Sequence, residues 1–490
     1  MNNEVNNSVS KFILDDLKRT LFPLNLSEYI AKNGQSHLSD FINKIYSGQE
    51  NFISQIRVYS DKPNRAVRRT LKLDPVAEWY IYDIAYQYRN KFRLLKNSNR
   101  CTYGYIFRDG KPVPGRESYK EFKENYYNCR NEFKYLMELD IANYFNSIYH
   151  HDLQNWFKIL SENDNDAKFF GKFLREINSG RSIDCLPQGI YPCKMIGNSY
   201  LQYIDYNGGL RSESYLRFMD DFALFDNDQS TLYEDLYKMQ ILLGNKGLSI
   251  NEAKLKLPLE SNIYYLKKID DTKVELLKIR ENLLQDYDEI DDNNYISLTT
   301  EQRDFILDIL SNDPITEEDA ELTLTLMGEQ WEDVFDQILG IAFEYPNLAK
   351  SCYNFFQSAS FDARESVARV ILQKVKSGEH LTEYQLFWMA KMCEDFLMET
   401  KVTGELLHQL YEHRSATDTS RAKLLEIQSS KHGLPELRQP HLTNGSLTWL
   451  SWCAAIGSLA EVKAWRNHYL QYFKKASTIN CLIGEVISGL

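Results

Sequence analysis

The 490-residue sequence predicts an α+β front followed by an all-helical back. Three observations carry that expectation. From about Ile56 to Lys273, short apolar runs of strand period alternate with helical stretches, whereas beyond Lys273 nearly every periodic segment has helical spacing. Within the front part, Glu138–Phe145 (ELDIANYF) and Tyr215–Phe225 (YLRFMDDFALF) set aspartates at the ends of apolar strand-like runs. Charge is also divided by position, basic in the front part and acidic behind it.

Taken in order, residues 8–50 have helical spacing and form an N-terminal helical extension, placed at 1–55. Ile56–Leu73 reads as short strands broken by Pro and Asn. Trp79–Leu95 reads as an amphipathic helix, with Trp79, Tyr82 and Tyr86 on its core face. Leu136, Leu139 and Ile141 predict a buried strand ending at Asp140, and Tyr215–Phe225 two strands joined by a tight hairpin at Asp220 and Asp221. Leu186–Gly189 (LPQG) is a turn, followed by a helix beginning near Pro192, where proline suits a helix start. Gly247–Lys256 is a strand and turn bearing Lys254, and Tyr264–Ile269 (YYLKKI) a further strand. The α+β unit is placed at 56–272 and the helical part at 273–490. Glu301–Leu310, Ala359–Lys376 and Ala460–Lys475 are its clearest helices, and Trp449 with Trp452 belongs to its core.

No apolar run approaches the roughly 18 residues of a membrane span, and Met1–Asn7 is polar, so no membrane partner and a cytoplasmic location are expected. None of the eight cysteines forms a CxxC pair; buried thiols are expected rather than a zinc ribbon or a disulfide framework. The 57 Lys+Arg against 69 Asp+Glu give a net −12, which taken whole argues against a nucleic-acid partner. Position reverses that conclusion. Arg57–Lys134 holds 18 Lys+Arg and 9 Asp+Glu, while Asp286–Asp336 holds 17 acids against Arg303 alone. Twelve tyrosines between Tyr80 and Tyr149 interleave with the basic residues, the mixture a nucleic-acid groove uses. His150 and His151 read as a partly exposed turn pair.

The carboxylates define the chemistry. Neighbouring side chains on a strand point to opposite faces, so Asp220 and Asp221 share a site only if they sit in a turn, as the pattern places them. A third acid, Asp140, at a strand end supplies what two-metal phosphoryl transfer requires, and Mg2+ suits an all-oxygen donor set completed by water and substrate phosphates. The glycine of LPQG lets a ligand approach the backbone, and the Gln188 amide can meet a nucleotide.

In this order and spacing, ELDIANYF, LPQG, RFMDDF, the Asn251–Lys254 turn (NEAK) and YYLKKI resemble motifs A to E of a reverse transcriptase palm. The resemblance implies a right-hand polymerase fingers and palm over roughly residues 55–270, ahead of a thumb-like or helical-repeat C-terminal domain. It implies that Asp140, Asp220 and Asp221 hold two Mg2+ ions, with Mn2+ an alternative and the Ile141 carbonyl an extra ligand. Phe145 takes the place of the bulky residue that excludes a ribose 2′-hydroxyl, Gln188 touches the incoming nucleotide, and Lys254 protonates the departing pyrophosphate. Lys62–Lys72 (KPNRAVRRTLK) resembles the fingers strands that grip the triphosphate, with Arg69 and Lys62 or Arg65 as the cations. A palm followed by acidic, helical sequence is most similar to the bacterial abortive-infection and defence-associated reverse transcriptases. That likeness implies an RNA-directed DNA polymerase of anti-phage defence, taking dNTPs, making DNA, and associating with a non-coding RNA and with other copies of itself. Members of that group also synthesise DNA without a template or prime on the protein. The alternative is an inactive palm-fold scaffold that binds RNA.

Overall fold

The computed structural model describes residues 3–97, 99–184, 186–260, 300–311, 335–357 and 359–490, with isolated positions between 320 and 326. YYLKKI, the expected boundary near residue 272 and most of the acidic stretch lie outside the described residues.

Three helices open the chain: α1 (Asn3–Leu17), α2 (Asn25–Asn33) and α3 (Gln35–Tyr46). Strands β1 (Ile56–Asp61) and β2 (Val67–Lys72) then pair antiparallel as an isolated hairpin, in register from Ile56 opposite Lys72 to Asp61 opposite Val67. Its tip turns through Asn64 and Arg65, both in left-handed backbone. Helix α4 (Pro75–Gln87) starts sharply: the Asp74 carboxylate accepts from the amides of Val76 and Ala77, and Pro75 sits where no amide hydrogen is needed. It differs from the amphipathic helix expected from its spacing. Every residue from Pro75 to Ala85 is buried, because α1, α2, α3 and the helix after LPQG all pack against it. Trp79 and Tyr82 are core residues as expected, and the Arg89 guanidinium lies 4.1 Å from the Tyr86 ring.

The central sheet follows. β3 (Arg100–Tyr103) is an edge strand, β4 (Phe107–Arg108) and β5 (Lys111–Pro112) form a small hairpin, and α5 (Gly115–Glu132) leads into β6 (Tyr135–Asp140). Helices α6 (Tyr144–Ser147), α7 (His150–Ser161), α8 (Asp164–Ile177), α9 (Tyr191–Tyr200) and α10 (Gln202–Asn207) separate β6 from the hairpin of β7 (Ser214–Phe218) and β8 (Asp221–Asp226). After α11 (Gln229–Gly244), β9 (Lys256–Glu260) completes the order β3-β7-β8-β6-β9, with only β3 and β7 parallel. Alternation buries both faces. Met137, Leu139, Phe222 and Leu224 join the main core, while Leu136, Ala223 and Phe225 meet Phe122 and Tyr126 of α5.

The back of the molecule is helical among the described residues, from Thr300–Ser311 to Thr478–Gly489. Hydroxyl caps at Ser360, Thr382, Thr417, Thr448 and Ser477 start five of these helices by accepting the third helical amide. Trp449 and Trp452 are core there, and the Trp452 indole donates to Asn480 Oδ1 at 2.8 Å. This region folds back onto the front. Phe22 meets Tyr384 and Phe387 edge-on, the Tyr59 amide donates to Glu383 Oε2 at 2.8 Å, and Thr382 Oγ1 donates to Asp61 Oδ2 at 2.6 Å. Where it meets α2, the fully buried Lys423 is held between Glu394 and Glu426, and these carboxylates accept from Asn25 and from the Leu26 amide. Cys193, Cys352, Cys393 and Cys453 are buried thiols; Cys101, Cys129 and Cys481 are half-buried.

Candidate active site

Asp140 ends β6 and Asp221 begins β8, and the antiparallel register sets them directly opposite each other. By alternation Asp140 shares a face with Leu136 and Glu138, and Asp221 with Ala223 and Phe225, so both acids project on the side of the sheet that carries α5. Asp220 occupies the two-residue turn of the β7–β8 hairpin with Met219, whose φ of 56° is the left-handed value such a turn demands. A non-glycine residue resists that conformation. What holds it is Arg217, fully buried on β7. Its guanidinium donates to the Met219 carbonyl at 2.7 Å, to Asn198 Oδ1 at 2.8 Å and to Asp205 through two bonds, and Tyr215 adds a hydroxyl to Asp205 at 2.6 Å.

The expected hairpin and strand-end acid are therefore present, and the structure adds Arg217, which the sequence reading passed over. A signal for it exists. An arginine between Leu216 and Phe218 in an apolar strand must find a buried partner, since an unpaired interior charge is prohibitively costly.

Crowding leaves its mark on the acids. Burial, then Asp221 and Asp140, push Asp220 up to about 7; Asp221 reaches solvent, yet desolvation by its surroundings and the charge of Asp140 push it up to about 6, opposed by Lys254 and Lys123. Lys254 ends a short turn before β9, and its ammonium lies 2.9 Å from Asp140 Oδ2. Its partial burial favours the neutral amine, but the bond to Asp140 and the charges of all three aspartates outweigh this and raise its pKa. Asn251 meets the same oxygen, donating to Asp140 Oδ2 at 3.2 Å from its side chain and to the Asp140 carbonyl at 2.7 Å from its amide. That amide bond, with Ala142 N to Ser249 O, forms the bridge between Ile141 and Ile250 and leaves the Ile141 carbonyl unused by it.

The donor set fits a hard divalent cation: carboxylate oxygens at one corner, with proton affinities raised by burial and then by one another's charge, and an ammonium already drawn in. As they stand, however, no three His, Cys, Asp or Glu side chains among the described residues are gathered into a ligating group. Asp140 is instead paired with Lys254.

The remaining expected residues arrange around this corner. Lys62, at the base of the β1–β2 turn, feels the charges of Asp140, Asp220 and Lys254; burial first, then Arg68 and Lys254, lower its pKa. Arg65 is exposed at the hairpin tip. Arg69 lies 2.5 Å from Asp184, which also meets Arg57 and Arg181, each at 3.1 Å. Three arginines on one carboxylate leave excess positive charge beside LPQG. His150 was expected to be partly exposed, but it is buried: its ring bonds the Asp184 carbonyl at 2.6 Å and its amide donates to the Ser182 carbonyl, anchoring this loop. His151 is exposed. Gln188 is fixed by its backbone, its amide donating to Thr70 Oγ1 at 2.6 Å while that hydroxyl reaches the Gln188 carbonyl. The Phe145 ring packs on Gly197 of α9, where a Cβ would stand 3.0 Å from it.

Residues 87–277, which contain these acids, match the family model described as "Reverse transcriptase (RNA-dependent DNA polymerase)". The chain carries a reverse transcriptase domain. By that domain it is an RNA-directed DNA polymerase, a nucleotidyltransferase. Among solved structures, apo telomerase from Candida tropicalis aligns at 11% identity and a TM-score of 0.33, over 80% of this chain and 71% of that one. Telomerase from Candida albicans with a fragment of telomeric RNA aligns at 10% identity and 0.29, over 75% of this chain and 62% of that one. No curated protein matches. Among the described residues no helix is long and apolar enough to cross a membrane.

Proposed function

We propose that the reverse transcriptase domain works at the corner of Asp140, Asp220 and Asp221 and serves a bacterial anti-phage defence system. The observation that carries the catalytic reading is the convergence of two acids with raised pKa values and the Lys254–Asp140 pair on one sheet corner. Asp140, Asp220 and Asp221, with the Ile141 carbonyl, would hold two Mg2+ ions, which when bound lower the pKa of the attacking hydroxyl and offset charge on the phosphates. Lys254 stays protonated and gives its proton to the departing pyrophosphate. Lys62 and Arg69, with Arg65 at the tip, grip the triphosphate, as suits the bidentate geometry of arginine. Phe145 excludes the ribose 2′-hydroxyl, and Gln188 contacts the nucleotide.

In this reading residues 56–272 are fingers and palm, 1–55 a helical extension and 273–490 a helical C-terminal domain. The partners are dNTPs, a non-coding RNA as template or cofactor, the DNA product and further copies of the chain, in the cytoplasm. The defence role is supported by the resemblance of the layout, a palm followed by a long acidic helical region. Phage plating on bacteria producing wild-type protein or Asp221→Asn, with sequencing of the copurifying nucleic acid, tests both parts. Protection that depends on Asp221, and an enriched RNA with complementary DNA, is expected; equal plaque counts on both strains would refute the defence role.

A further inference from the structure

The loop that carries Gln188 is supported from below by a segment far away in sequence. Gly189 has a φ of 94°, and a Cβ placed on it would lie 2.9 Å from Leu21 Cγ, so the Leu21 side chain is the floor of the LPQG turn. Helix α9, which follows, receives no capping bond from the side chain of Ile190 before it. Its first amide, Tyr191 N, instead donates to Asp16 Oδ2 at 2.7 Å, and the same oxygen accepts from Tyr82 OH. A carboxylate there satisfies an otherwise orphaned donor and complements the positive end of the helix. Residues 16–22 thus hold the Gln188 loop and α9 together, and Thr70 also holds Gln188.

The strap is itself held by the helical region. Lys350, within the helix Ala349–Phe356, donates from Nζ to the Lys18 carbonyl at 3.0 Å and the Thr20 carbonyl at 3.3 Å, with the Trp388 ring 5.3 Å away. Phe22, two residues past Thr20, is edge-on to Tyr384 and Phe387 of the same region. A continuous path of contacts therefore runs from the C-terminal helices through Lys18–Phe22 to Gly189.

We propose that Lys350 is a positioning residue for nucleotide binding: by fixing the strap it keeps the Gln188 loop in the shape that receives a dNTP. Through it the C-terminal helical region bears on substrate affinity without reaching the acids. The proposal rests on the reading of Gln188 as a nucleotide contact.

Steady-state dNTP incorporation by the full-length protein tests it. Lys350→Met should raise KM for dNTP at least fivefold with kcat within twofold of wild type, and Lys350→Arg should stay within twofold in both. Leu21→Ala, which removes the floor and leaves the Lys350 bonds in place, should raise KM in the same way and carries the test if Lys350→Met fails to fold. Gln188→Ala separates the two levels. If it leaves KM unchanged, the nucleotide-pocket reading falls and the strap proposal with it. If it raises KM while Lys350→Met or Leu21→Ala does not, the strap proposal alone is overturned. A lower melting temperature for Lys350→Met with unchanged KM would mean that the lysine only joins the two regions.

Discussion

On the proposed function, Asp220 is the residue at which stability and catalysis pull apart. In the unfolded chain its carboxyl loses a proton near 4, whereas in the fold it holds one up to about 7, and Asp221 up to about 6. The folded state therefore binds more protons over that interval, and the stability of metal-free protein falls as pH rises from about 4 to about 7, with no further change from these groups outside it. Asp74 and Asp83, buried and each raised to about 6, move in the same direction. In EDTA at pH 8, Asp220→Asn should melt higher than wild type by about 1–3 °C while losing incorporation, with a weaker pH dependence of melting. An unchanged melting temperature would mean that neither burial nor the neighbouring acids disfavour the Asp220 carboxylate. Arg217 has the opposite sign. Arg217→Met leaves Asp205 buried without its guanidinium and should cost about 3–5 kcal/mol in denaturant unfolding. A loss below about 1 kcal/mol would show that Asp205 is satisfied without it. At this scale the three aspartates were legible because acids at the ends of apolar runs are unusual. Asp184 and Asn251 were not, because their roles depend on loops that meet only after folding.

Among elements, the β7–β8 hairpin and α9 decide the geometry. The hairpin was readable from two apolar runs closing on an Asp-Asp pair, and so was the start of α9 at Pro192. The environment of α4 was not. Its residues have a helical rhythm, but spacing cannot show that α1, α2, α3 and α9 all pack against it. Helix α9 carries a prediction of its own. Gly197 seats the Phe145 ring and its carbonyl accepts the Tyr144 hydroxyl at 2.6 Å, so there is no room for a methyl group without moving the ring. Gly197→Ala should therefore lower dNTP incorporation several-fold, and Phe145→Ala should raise rNTP incorporation relative to dNTP by about tenfold or more. Matched dNTP and rNTP single-turnover assays read both effects. Wild-type discrimination in Phe145→Ala would remove the ring from the ribose gate.

Over the whole molecule, the front and back are not independent beads. Phe22 against Tyr384 and Phe387, Glu383 on the Tyr59 amide, and the Lys423 cluster on α2 are contacts of high sequence separation that close the chain on itself. No sequence period announces such closure. The helical character of the back was legible, but its docking on residues 18–61 was not. Calorimetry should accordingly show one cooperative transition in which residues 56–260 and 335–490 unfold together; two well-separated transitions would contradict that coupling. The charge distribution has meaning at this scale too: a net −12 coexists with a basic stretch from Arg57 to Lys134 ahead of the acids in the chain. The most direct test of the central claim is incorporation of labelled dNTP on a primed RNA template with Mg2+, comparing wild type with Asp220→Ala and Asp221→Ala. The account predicts extension by wild type and its loss in both variants at unchanged circular dichroism; extension that survives either substitution would contradict it.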